Sequence, residues 1–158
     1  MQKEFSLLFH YFYDIITIME RWHSKEEHRT GIYFNPNHTD FYNAVNHSQI
    51  YIDKTELIQY TNSVLFGEQK YICVSRPRRF GKSMAANMLT AYYSRGCDSR
   101  ELFQGLKIAT HPDFEKHLNR YHVIHVNIQN YLSESQNMEE MLRFMEEDIL
   151  FEIENEFA

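Results

Sequence analysis

The chain has 158 residues, enough for one domain with a sizeable core; 43% are hydrophobic, with 11 Tyr and 12 Phe, which excludes a disordered or low-complexity polypeptide. Net charge is −6, but residues 139–158 hold eight carboxylates against the single base Arg143, so that segment is −7 and the remainder +1. A nearly neutral body argues against a nucleic-acid partner, which calls for a basic stripe.

In chain order, the apolar stretch 5–19 predicts an N-terminal helical extension over residues 1–30. This extension is either buried or docked on a partner, with an interfacial membrane helix as the alternative. His10 and Asp14 interrupt the stretch, it is short of a membrane span, and Glu20-Arg21-Trp22-His23 follows where a signal peptide would have small residues. Residues 55–65 read as a helix with Leu57, Ile58, Val64 and Leu65 turned inward, and 69–75 as a central strand in which Cys73 packs as a small apolar group. Apolar residues at helical spacing from Met84 to Tyr92 predict the next helix. Asp98 and Glu101 suit a capping box for a helix over 99–104, and Thr110 marks a start for one reaching about Asn119. A second strand is expected over 122–128. The acidic segment keeps apolar residues at Met138, Met141, Leu142, Met145, Ile149, Ile153 and Phe157, the pattern of an amphipathic helix with a solvated charged face. Two parallel strands alone would leave open edges, so self-association or a partner domain is expected.

Between the first strand and the helix from Met84 lies Arg76-Pro77-Arg78-Arg79-Phe80-Gly81-Lys82-Ser83. Strand, tight loop and helix is the context of a phosphate-binding P-loop, whose backbone N–H groups and helix N-terminus hold a triphosphate. Lys82 would reach the outer phosphates, the Ser83 hydroxyl would be a magnesium ligand, and Gly81 would allow close backbone approach. The pattern G-x-x-x-x-G-K-[ST] is broken once, by Arg76 at the first glycine position, and Pro77 biases Arg76 toward extended geometry. Arg76, Arg78 and Arg79 add positive charge that can hold phosphate oxygens or pair with carboxylates.

This loop resembles the signature of the bacterial AAA-ATPase-like proteins, many of which carry a PD-(D/E)XK-type nuclease domain further on. Tyr51-Ile52-Asp53-Lys54-Thr55-Glu56-Leu57-Ile58 is similar to that family's Y-V-D-K-T-x-L-I segment, and Gly31-Ile32-Tyr33-Phe34-Asn35-Pro36 to its opening. Leu102-Phe103-Gln104-Gly105-Leu106-Lys107-Ile108 and Val123-Ile124 resemble two later blocks. The resemblance implies an α/β fold with a RecA/AAA-like P-loop NTPase core, ATP as ligand and Mg2+ as its ion. On this reading residues 31–158 are the N-terminal portion of that domain, with flanking helices.

A P-loop ATPase also needs an acidic residue at the end of a second strand to hold magnesium. Two runs offer a substitute: Val123-Ile124-His125-Val126-Asn127, which ends in a neutral amide, and Ile149-Leu150-Phe151-Glu152, which sits in a helix-period stretch. Neither is convincing, so the sequence reads as the front half of an ATPase that binds ATP but hydrolyses it poorly alone. The rival reading is a non-catalytic regulatory module with a vestigial loop. Two cysteines, Cys73 and Cys97, make no disulfide framework and suit a reducing cytoplasm. His122 and His125, three apart on a strand, should point to opposite faces and do not predict a metal site.

Overall fold

The computed structural model describes residues 14–19, 31–75, 77 and 79–157. Its elements are β1 (Asp14–Met19), α1 (Thr39–His47), α2 (Glu56–Val64), α3 (Lys82–Tyr93), α4 (Arg100–Phe103), a 3-10 turn (Lys107–Thr110), α5 (Phe114–His117), β2 (His122–Asn127), α6 (Ile128–Glu134) and α7 (Met138–Phe157). It is a mixed helix and sheet architecture, and its two-stranded sheet is antiparallel where parallel strands were expected: Asp14 pairs with Asn127 and Met19 with His122.

β1 corrects the expectation of a helix at residues 14–19; the rest of 1–30 lies outside the described residues. The run Ile15-Ile16-Thr17-Ile18 is β-branched throughout, which favours a pleated surface over a helix. β2 is occupied on both edges. On the side away from β1, Asn35 N–H donates to the Val123 carbonyl at 2.7 Å and His125 N–H to the Tyr33 carbonyl at 2.8 Å, with Phe34 bridged to Ile124. No edge of β2 is left for residues 69–75. That segment, expected as the central strand, has no regular secondary structure, and Tyr71, Ile72, Cys73 and Val74 are exposed. A strand exists only through its neighbours' hydrogen bonds, and among the described residues none pairs here.

β2 is buried on both faces and separates two apolar clusters. Val123 belongs to one, with Phe41, Ile58, Met88, Ala91, Tyr92, Tyr93, Phe103, Ile108, Phe114 and Leu118. Ile124 and Val126 belong to the other, with Phe34, Ile128, Tyr131, Met141 and Met145. α3 is the axis of the first. Its Tyr93 hydroxyl donates to Asn62 Oδ1 at 2.6 Å, and its Tyr92 hydroxyl donates to the Phe114 carbonyl at 2.8 Å. These bonds tie α3 to α2 and α5 without leaving a buried hydroxyl unpaired. Its C-terminal end is closed by Asn119, whose side-chain amide donates to the carbonyls of Ala91, Tyr92 and Ser94 at 3.0, 3.3 and 3.0 Å. Asn119 itself has φ of 53°, a conformation Asn tolerates better than most residues.

Other boundaries shift in ways the local chemistry explains. Helix α4 begins after Ser99, with no side-chain cap. Ser99 is buried and its hydroxyl donates instead to the Ala91 carbonyl at 2.6 Å, so the expected Asp98/Glu101 box does not form. Thr110 ends the 3-10 turn, and α5 starts only at Phe114 after Asp113. In α7, Met141 and Met145 are buried and Leu142, Ile149 and Ile153 partly so, while Met138 and Phe157 are exposed. Among the described residues, no helix is long and apolar enough to cross a membrane.

Candidate functional site

Residues 79–83 turn the chain into α3. Arg79 has φ of 67° and Gly81 φ of 79°, so two left-handed residues stand on either side of Phe80. A non-glycine residue in that region is uncommon and persists where its surroundings determine it, which marks a tight, constrained turn. Gly81 is the N-cap of α3 and offers no capping side chain, while the Ala85 amide donates to its carbonyl at 3.0 Å as the helix begins. The first-turn N–H donors and the positive end of the helix dipole therefore lie at Gly81, with no side chain closing them off from that residue. Lys82 and Ser83 are the first two residues of α3, Lys82 half-buried and Ser83 exposed.

A second cation reaches the same turn. Lys54 Nζ, from the segment before α2, donates to the Phe80 carbonyl at 2.9 Å. A Cβ placed on Gly81 would lie 2.9 Å from that nitrogen, in addition to the backbone strain. Asp53 fixes the segment that carries Lys54. Its Oδ1 accepts from the Thr55 amide at 2.8 Å and the Thr55 hydroxyl at 2.7 Å, and its Oδ2 from the Lys107 amide at 2.8 Å. Partial burial pushes the Asp53 carboxyl up, but the hydrogen bonds from Thr55 and Lys107, with the Lys107 charge, outweigh it and hold the group below the usual carboxylate range.

Of the eight loop residues singled out in the sequence, the structure brings Phe80, Gly81, Lys82 and Ser83 together at the start of α3. Pro77, Arg79 and Phe80 are exposed, and Arg76 and Arg78 lie outside the described residues. Lys54 had no derivable role in the sequence; the signal for it was the Asp53-Lys54-Thr55 segment, whose contact with the loop spans 26 residues.

The two substitutes for a magnesium-holding acid are engaged elsewhere. Asn127 Oδ1 accepts from the Gln129 amide at 3.0 Å, capping α6. Glu152, on α7, accepts from the amides of Ile32, Tyr33 and Phe34 at 2.9, 2.8 and 2.7 Å, pinning the segment that flanks β2. His122 and His125 face different partners. His122 Nε2 meets Arg95 Nη1 at 3.0 Å, and His125 Nδ1 meets the Thr90 hydroxyl at 3.2 Å. Among the described residues no three His, Cys, Asp or Glu side chains cluster as metal ligands.

A family model described as predicted AAA-ATPase matches residues 37–157. No match to a curated protein or to a solved structure was found.

Proposed function

The chain belongs to the predicted AAA-ATPase family, and from that premise we propose that its P-loop, residues 76–83, binds ATP with magnesium. The observation that carries the reading is the left-handed Gly81 at the N-cap of α3, followed by Lys82 and Ser83 in the first helical turn. Backbone donors, a helix dipole and a lysine converging on one small turn suit a polyphosphate. Lys82 contacts the outer phosphates, with Arg76, Arg78 and Arg79 lending positive charge around them. Magnesium, when bound, neutralises charge between the phosphates. Ser83 would hold it by its hydroxyl, and because residues 76–83 supply no carboxylate, phosphate oxygens and water would complete its shell.

The proposal extends to slow turnover by residues 1–158 alone. Asn127 and Glu152 are committed to structural hydrogen bonds, so neither is placed to hold magnesium, which suits slow turnover. A partner domain would pair residues 69–75, whose exposed Tyr71, Ile72 and Val74 suit a covered strand. That exposure also favours the rival reading, in which the loop is vestigial and the protein acts through contacts. Both cysteines are free thiols, the form a reducing cytoplasm maintains, and the cytoplasm is where the proposal places the protein.

A thermal melt with and without MgATP separates the two readings. At 100 times its dissociation constant ATP stabilises the fold by about 2.7 kcal/mol. On a chain of this size that raises the melting temperature by roughly 5–10 °C. Lys82→Ala abolishes most of the rise. An equal rise in the variant would contradict the assignment.

A further inference from the structure

Helix α7 turns Met141 and Met145 inward, with Ile149 and Ile153 partly buried beside them. On its outer face Leu150 is 48% and Phe151 66% exposed. Glu147, Leu150, Phe151 and Glu154 fall at i, i+3, i+4 and i+7 and so share that face, with Glu146 one turn before Leu150. Among the described residues Glu146 and Glu154 have no ion-pair partner, and Glu147 meets Arg143 at 3.5 Å. A leucine and an aromatic framed by carboxylates fit an apolar side chain carried on a cationic segment. The chain contains such a segment. Four of the seven residues 76–82 are basic (Arg76, Arg78, Arg79 and Lys82), and Phe80, 60% exposed, stands among them on the constrained turn. Arg79 is exposed and, among the described residues, has no ion-pair partner.

We propose that a second copy of the chain covers this face: Phe80 of one copy packs against Leu150 and Phe151 of another, with the loop arginines beside Glu146, Glu147 and Glu154. Charge selects the occupant, because residues 139–158 are −7 and the loop is the densest positive group in the sequence. Within one chain neither surface is free to swing toward the other. Glu152 pins α7 to the amides of residues 32–34, and Tyr92, Tyr93 and Asn119 anchor α3. Loop on helix is a heterologous contact, so every pair keeps one unused loop and one unused α7, and further copies add until a ring closes. One turn against one helix face is a small area, which makes the association weak and salt-sensitive. The inference stands apart from the phosphate-binding reading, since the same cations draw carboxylates or phosphates, and its test is run without nucleotide.

Sedimentation equilibrium of the full 158-residue chain provides the test, with two double variants. One carries Glu147→Lys and Phe151→Ser on α7, the other Arg79→Glu and Phe80→Ser in the loop. All four side chains are exposed, and thermal melts within a few degrees of wild type confirm that both variants fold. The wild type gains mass with concentration, and raising salt from about 0.05 M to about 0.5 M weakens that association about tenfold. Each variant alone stays monomeric. Their equimolar mixture forms a complex of one copy of each and grows no further, because one retains the loop and the other retains α7. A mixture that stays monomeric overturns the proposal, as does a wild type that is monomeric at every concentration. Association of the loop variant alone would mean that α7 pairs with itself, and association of the α7 variant alone would place the contact elsewhere. Either result overturns it.

Discussion

Gly81 answers two constraints at once, a left-handed backbone and the approach of Lys54 to the turn beside it. Lys54 is held in place by its neighbour: Asp53 takes three hydrogen bonds, two from Thr55 and one from Lys107. This network gives the fold a defined acid dependence. The Asp53 carboxyl lies below its ordinary value of 3.8 in the folded chain, so its stabilisation is complete above that value and fades as pH falls through the lower, folded-state one. Asp53→Asn therefore melts below wild type by a constant margin from about pH 7 to about pH 5, and the margin narrows below 3.8. Melts across that range read the margin directly; one that stays constant to about pH 2.5 would show that charge at Asp53 contributes nothing. The Gly81-Lys82-Ser83 turn was legible in the sequence because its parts are consecutive. Lys54 was not, since its contact with the turn joins residues far apart in the chain.

At the scale of elements, α2, α3 and α7 follow from periodicity, because each buries a face that its own residues define, and β2 follows from its short apolar run, buried on both faces. Residues 69–75 do not, because a strand needs a partner and both edges of β2 are taken by β1 and by residues 33–35. β1 was obscured for the opposite reason: a long apolar run carries no period, and only its β-branched composition distinguishes strand from helix. The two cysteines report on this difference. Cys73 sits exposed in the unpaired segment. Cys97 is buried, its thiol donates to the Pro36 carbonyl at 3.4 Å, and burial pushes it up to about 11. A thiol reagent should therefore label Cys73 rapidly and Cys97 only as the chain unfolds, with sites assigned by peptide mapping. Protection of Cys73 in the folded chain would mean that 69–75 is covered, as it would be in a larger sheet.

Over the whole molecule, β2 divides the interior into two clusters, and the functional elements gather around the first. α3 carries the loop at one end, and its far end is locked by Tyr92, Tyr93 and Asn119. A helix held that firmly presents its N-terminus as a fixed feature, which keeps the ordering cost of binding low. The acidic α7 stands with the second cluster and pins residues 32–34 through Glu152. The central claim is that the turn at Gly81 is a nucleotide site, and calorimetric titration of MgATP into wild type and Lys82→Ala tests it most directly. The account predicts saturable binding to the wild type with one nucleotide per chain, and affinity at least about a hundredfold weaker in the variant, because a charge-assisted contact to phosphate is lost. Equal affinities in the two proteins would contradict it.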